Sequence, residues 1–371
     1  MKTLVVGLDG TNQTKTQQHP TNIARIFDSL GGTVSSDPSG GYETSAGKPT
    51  APLLGKYLPG VGTQGDPVLK TLGNLFGDGI AASITRGYTF LSRNYVAGDS
   101  ILITGFSRGA TAARALAGFV VGRGLLAPGT YAPGAKTDAY KLAVAAWYNY
   151  RQAQPNLANV NRPGLIGQLL GGGDALPTVT DANFIAPPPI TAVGVFDTVS
   201  SLGLPHLDAS GSAVYDYSIC DTVLSDKVHW GFHALAADEM RDLFSPTFWA
   251  DRDQIVQQIF PGCHSDVGGG YPNAGLSDAA LSWMLDQFAT VGLHCDRTRV
   301  TGFAPNSLAP AQDDGAVFPF NNTPRRARSF PECATLSASI TARLTKPVEM
   351  LPSSAPQPYR PRGVYADGSA L

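Results

Sequence analysis

Short apolar runs alternate along the chain with amphipathic stretches, and polar, glycine-rich breaks separate them. Lys2–Leu8 reads as a buried strand: short, β-branched and ended by Asp9-Gly10-Thr11-Asn12. Pro20-Thr21-Asn22 then opens a helix with Ile23, Ile26, Phe27 and Leu30 on one face. Residues 31–79 are rich in Gly, Pro, Ser and Thr and read as loop, with a strand around Lys56–Leu58. Ile80–Asn94 has a helical pattern. Asp99–Thr104 is a strand signal that runs through Gly105-Phe106-Ser107-Arg108-Gly109 into an alanine-rich helix former from Ala110. Residues 124–190 are irregular apart from one helix carrying Tyr140, Ala143, Val144, Trp147 and Tyr148, a stripe that fits core packing. Ile190–Phe196 is a third strand, ended by Asp197-Thr198. Residues 226–243 suggest a helix. Gln254–Phe260 reads as a fourth strand, ended by Pro261-Gly262-Cys263-His264-Ser265-Asp266, and a helix follows from Ser277 to about Val291. Residues 305–371 have weak periodicity and many prolines.

Apolar strands alternating with helices predict an α/β fold: a mostly parallel sheet flanked by helices. In such sheets ligands bind beyond the carboxyl ends of the strands. Asp9, Ser107, Asp197 and His264 each stand just past a predicted strand, so four reactive side chains share one rim. Residues 1–371 read as one domain. Within it, residues 124–190 form a cap or lid insertion, and residues 305–371 form an irregular segment packing on the core.

Composition narrows the classes. Hydrophobic residues make up 43% of the chain, which excludes global disorder. Lys plus Arg number 27 against 29 Asp plus Glu, so no basic excess exists to hold nucleic acid. No run approaches the roughly 18 apolar residues of a membrane span, and the start lacks a signal peptide's apolar stretch. The expected location is the cytoplasm, or outside after export by a leaderless route. Cys220, Cys263, Cys295 and Cys333 form no C-x-x-C pair, which argues for buried thiols rather than a zinc ribbon or redox motif. Tyr57–Thr63 lacks the Gly-Lys-Ser/Thr of a phosphate-binding loop, and no G-x-G-x-x-G opens a helix after a strand, so no nucleotide is expected.

The chemistry centres on Ser107. G-x-S-x-G between a strand and a helix lifts a serine hydroxyl clear of the sheet, and its glycines remove side chains that would clash in so tight a turn. The backbone N–H of Arg108 becomes one oxyanion donor. Serine needs a base, and the base an orienting acid. Among six histidines, His264 sits at a strand end in a glycine-rich loop and is the best base. Asp197 is the best orienting acid, since it follows the strand between those carrying Ser107 and His264. Asp266 competes, but it is two residues from His264 and better suited to fixing the loop. Gly10 or Thr11 supplies a second oxyanion N–H, with Asp9 bracing that loop. No metal or organic cofactor is required. A metal-dependent phosphoesterase would instead use Asp9, Asp197, His264 and Asp266 as ligands. That reading leaves the Ser107 elbow unexplained and finds Gly7 where a second acid would stand. A non-catalytic binding protein with this fold is the remaining alternative.

Six segments in order carry a resemblance: Asp9-Gly10-Thr11; Tyr57–Thr63; Gly105-Phe106-Ser107-Arg108-Gly109-Ala110; Phe196-Asp197-Thr198-Val199; His233-Ala234-Leu235-Ala236 with Asp238-Glu239; and Gly262–Tyr271. Together they resemble the poorly characterised α/β-hydrolase family that includes the type VI secretion lipase effectors with a G-F-S-R-G-A elbow. The likeness spans about residues 4–295. It implies an α/β-hydrolase-like fold, here with a trimmed N-terminal part of the sheet, and a triad at Ser107, Asp197 and His264. It also implies hydrolysis of a phospholipid or another small ester, with a membrane surface as one source of substrate.

Overall fold

In the computed structural model the first apolar run is strand β1, Thr3–Leu8. Its side chains alternate, Leu4, Val6 and Leu8 entering one core cluster and Val5 the opposite one. A strand apolar on both sides must be covered on both, which places β1 in the interior of a sheet. The structure describes residues 1–37, 41–48, 51–61, 75–132, 134–153, 176–199, 206–207, 213–214, 222–314 and 324–371.

Among these, nine strands form the main sheet: β1, β2 (Thr33–Ser36), β3 (Tyr42–Lys48), β4 (Ala51–Leu58), β5 (Ser100–Phe106), β6 (Ile190–Phe196), β7 (Val228–Ala236), β8 (Ile255–Phe260) and β9 (Thr335–Leu336). Their order across the sheet is β9-β8-β7-β6-β5-β1-β4-β3-β2. All pairs from β9 to β4 are parallel, and β3 and β2 add an antiparallel edge. The chain leaves β1 toward β4, then returns to β5 on the other side of β1. That reversal opens a crevice between the carboxyl ends of β1 and β5, where α/β sheets bind ligands.

Helices α1 (Asn22–Leu30) and α6 (Gly275–Thr290) cover one face. Helices α2 (Leu75–Asn94), α3 (Arg108–Arg123) and α4 (Lys136–Gln152) cover the other. Helix α4 packs on α2 and α3, and its Trp147 is buried edge-on against Phe119, 5.2 Å between ring centroids. Ala143, Val144 and Trp147 of the α4 stripe are buried while Tyr140 and Tyr148 are half-buried, and residues 154–175 of the expected insertion lie outside the described residues. The C-terminal part supplies β9, a helix α7 (Ala338–Leu344) and a small sheet made by Ala311–Gln312, Pro347–Leu351 and Ser353–Pro358. Among the described residues no helix is long and apolar enough to cross a membrane.

Two expectations change. Residues 226–243 are not helical; Val228–Ala236 is strand β7. Phe232, Ala234, Leu235 and Ala236 are all buried there, and a strand covered on both faces has no alternation to betray it. The described part of residues 31–79 holds three strands where one, around Lys56–Leu58, is expected. β2 is exposed at every position, so no apolar pattern marks it, and β4 is longer than Lys56–Leu58.

Candidate active site

Strand β5 delivers Ser107 to the rim as the residue before α3. Its φ of 59° and ψ of −126° lie where glycine is at home and other residues are strained. The neighbouring glycines explain why the turn holds. A β-carbon on Gly105 would fall 2.4 Å from Gly109 O, and one on Gly109 would fall 2.2 Å from Leu8 O. The start of α3 is thus jammed against both β5 and the end of β1. Ser107 N donates to Phe196 O at 3.0 Å, tying the turn to β6. A serine before a helix ordinarily caps it through Oγ, but Ser107 makes no capping hydrogen bond. Arg108 is the first residue of α3, where backbone amides point out of the helix.

Asp197 ends β6, also with positive φ, 41°. It is fully buried, and its Oδ2 lies 2.6 Å from His264 Nδ1. Oδ1 accepts from Ala236 N at 3.0 Å. Burial raises its pKa, but the Arg328 charge and the His264 hydrogen bond outweigh burial and hold it well below the usual carboxylate range. With Nδ1–H given to an ionised carboxylate, Nε2 of a neutral His264 carries the lone pair. His264 is 4% exposed, and its Nε2 is buried without a hydrogen-bond partner among the described residues. The imidazole lies 4.6 Å from the Phe106 ring and 5.0 Å from Phe244, centroid to centroid. Phe106 precedes Ser107 in the chain, so the elbow and the histidine share a wall. Contrary to the expected loop, His264 opens a short helix α5, His264–Gly268. Gly268 of that helix touches the same wall: a β-carbon there would sit 2.0 Å from the Phe106 ring.

The N-terminal loop closes the rim. Gly10 packs on the elbow, where its β-carbon would lie 2.9 Å from Phe106 and 3.4 Å from Ser107 Cβ. Its N–H donates to Asp9 Oδ1 at 2.7 Å. Thr11 Oγ1 is buried without a partner among the described residues. Asp9 also accepts from Thr21 Oγ1 at 2.7 Å and Tyr57 OH at 2.6 Å, which anchors the loop to α1 and β4. Burial pushes its carboxyl up to about 6 against these bonds. Asp266 sits apart from the imidazole, accepting from Cys263 N at 3.0 Å and Gln312 N at 2.8 Å; burial raises it to about 7.

Two features escaped sequence reasoning. Arg328, from the C-terminal part, donates to both oxygens of Asp197, at 2.6 and 2.9 Å. Glu239, past the end of β7, accepts from His264 N at 3.3 Å and holds Arg241 in a two-point ion pair. His233, a resemblance position, is buried in β7; burial lowers it to about 3, and its Nε2 accepts from Thr198 N at 3.2 Å. It serves the sheet rim as a neutral acceptor.

The residues do not fit a metal. Both oxygens of Asp197 are committed to Arg328, His264 and Ala236, and Asp9 and Asp266 are engaged in separate networks. Donor atoms of Glu239, Cys263 and Asp314 do lie within 4.8 Å of one another. Arg241 already neutralises that group, 2.7 Å from Glu239 and 3.1 Å from Asp314, and burial raises the Cys263 thiol. Cys263, Cys295 and Cys333 are free; Cys220 lies outside the described residues.

The sequence family described as T6SS, phospholipase effector Tle1-like, catalytic domain, matches residues 2–287. The uncharacterized protein YEL023C of Saccharomyces cerevisiae is 30% identical over 141 residues, 34% of this chain and 18% of that one. An uncharacterized protein from Pseudomonas aeruginosa, solved by crystallography, is 18% identical with a TM-score of 0.44, over 82% of this chain and 49% of that one. The Tle1 effector, solved bound to the VgrG spike of the type 6 secretion system, is 18% identical with a TM-score of 0.41, over 74% of this chain and 52% of that one. The chain thus spans about half of these solved chains, and the match to YEL023C covers 18% of that protein.

Proposed function

The chain belongs to the family of T6SS Tle1-like phospholipase effector catalytic domains, and from that premise we propose that it is a serine hydrolase of lipid esters. The observation that carries the reading is the Ser107 elbow: a strained serine at a helix start whose hydroxyl does not cap the helix. Across the Phe106 ring, which the same strand supplies, is a buried histidine with Nδ1 on Asp197 and Nε2 without a partner among the described residues, so no Ser107–His264 hydrogen bond is formed in this structure.

In this reading Ser107 Oγ attacks the ester carbonyl as His264 Nε2 takes its proton. Asp197 fixes the imidazole tautomer and stabilises the imidazolium. The oxyanion is received by the Arg108 N–H at the start of α3 and by Thr11, whose buried hydroxyl has no other partner among the described residues. Gly10 supplies close approach rather than a donor, since its N–H serves Asp9. The imidazolium protonates the leaving alcohol, and water activated by the same histidine then releases the acyl group. In this reading the fold is a hydrolase variant with a trimmed N-terminal part of the sheet. Phospholipid is the first substrate to try, presented at a membrane surface.

The test is hydrolysis of a p-nitrophenyl ester series and of phospholipid vesicles by the wild type, Ser107→Ala and Asp197→Asn. Turnover should fall at least ~10³-fold in Ser107→Ala with the melting curve intact. Undiminished turnover in Ser107→Ala would end the reading.

A further inference from the structure

We propose that Arg328 is a positioning residue of this active site, acting through Asp197 on His264. The inference rests on the Ser107–His264–Asp197 reading and adds a fourth, charged member from the C-terminal part of the chain.

The contact is a fork. Nη1 donates to Asp197 Oδ1 at 2.6 Å and to Ala236 O at 2.9 Å, and Nη2 donates to Oδ2 at 2.9 Å and to Phe244 O at 2.6 Å, while Nε is buried without a hydrogen-bond partner among the described residues. Arg328 is 5% exposed and Asp197 is fully buried. The backbone is fixed as well: Val364 N donates to Arg328 O at 2.9 Å, and Ser329–Phe330 pairs with Val364–Tyr365. A guanidinium held at four points cannot swing away, so it sets the plane of the carboxylate it grips. Oδ2 is shared between Nη2 and His264 Nδ1, so the direction in which Asp197 faces the imidazole is the direction Arg328 imposes. Phe244, whose carbonyl Arg328 holds, also packs its ring on His264.

The charge matters separately from the geometry. The charged groups around His264 are Asp197, Glu239, Arg328 and Arg241, two of each sign, with Asp314 beyond against Arg241. His233 behind Asp197 is a neutral acceptor, and Phe106 and Phe244 close the remaining sides. With Arg328 present the inner group is balanced in charge. Without Arg328 the balance becomes one net negative charge, which favours the imidazolium and silences the base at a higher pH.

The experiment measures kcat and KM against pH for the wild type, Arg328→Met and Arg328→Lys, with Ser107→Ala alongside. In Arg328→Met the acid limb of kcat/KM should move up by about one pH unit, and kcat should fall about 10- to 100-fold with KM little changed. Arg328→Lys keeps the charge but loses the fork, so its acid limb should stay at the wild-type position while kcat still falls. A residue that only stabilises the fold would lower the melting temperature and leave the limb in place. An unmoved limb in Arg328→Met, or the same profile in Met and Lys variants, overturns the proposal. Should Arg328→Met fail to fold, Arg328→Lys decides alone: wild-type kcat overturns it, a reduced kcat with an unmoved limb supports it. Loss of activity in Ser107→Ala together with wild-type profiles at Arg328 defeats this inference alone. Persistent activity in Ser107→Ala defeats the hydrolase reading beneath it.

Discussion

Replacing Ser107 by glycine should make the protein more stable than replacing it by alanine. Nearly everywhere else in a protein the order is reversed, because glycine loses about 0.5–1 kcal/mol more chain entropy on folding. At Ser107 the backbone sits at φ 59°, ψ −126°, a region that costs a residue with a β-carbon about 1–3 kcal/mol. Alanine keeps that strain and glycine releases it. The surroundings leave little room to relax for alanine, since a β-carbon on Gly105 or Gly109 would fall 2.4 or 2.2 Å from neighbouring backbone oxygens. Strain release minus the entropic term leaves about 1 kcal/mol in favour of glycine. For 371 residues the unfolding entropy is about 0.8 kcal/mol/K, so the glycine variant should melt about 1–2 °C above the alanine variant. Calorimetry with replicates resolves that gap, and a reversible denaturant midpoint checks it independently. Both variants lack the hydroxyl, so activity plays no part in the comparison. An alanine variant as stable as the glycine variant, or more so, would refute the claim that the elbow stores strain.

Two further outcomes follow from the same geometry. Gly268→Ala puts a methyl within 2.0 Å of the Phe106 ring, which itself packs 4.6 Å from His264; stability should drop by about 1–3 kcal/mol and kcat with it, and unchanged melting and turnover would refute the shared wall. Asp9 is raised by burial from 3.8 to about 6, so the folded state holds its proton more tightly; the stability this confers is complete below about pH 4 and is lost as pH rises through 6. The loss amounts to about 3 kcal/mol, so the melting temperature of the wild type relative to Asp9→Asn should decline by a few degrees between pH 4 and 6.5, and parallel curves would refute it.

The parallel strands that carry the site were legible because each ends abruptly in a residue that cannot continue it. β1 stops at Asp9, β5 at the elbow, β6 at Asp197 and β8 at Pro261, and each stop marks the rim. β7 was not legible. It has neighbours on both edges and cover on both faces, so apolar residues fill successive positions and imitate a helical stripe. The edge strands were hidden for the opposite reason: β2 buries nothing, and Lys56 in β4 looks solvent-facing by residue type although it is buried between Asp37 and Glu43. Neither case involves a weak local preference. In each, what decides the strand is which neighbours cover it, and that is set by the whole sheet.

The same distinction separates the members of the site. Ser107, Asp197 and His264 are placed by local turns next to their own strands, so spacing and strand ends point to them. Arg328 lies 131 positions from Asp197 in sequence and follows an arginine-rich stretch that carries no periodicity. Its role exists only because a buried carboxylate must be compensated. Asp197 has no exposed surface, and burial alone would raise its pKa, so hydrogen bonds and an opposite charge are what hold it ionised. Arg328 adds an opposite charge through a fork to both carboxylate oxygens, and nothing in the local pattern around Asp197 points to an arginine 131 positions away. Arg328 reaches Asp197 from a backbone that Val364 anchors, so this contact is contributed by the C-terminal part of the chain.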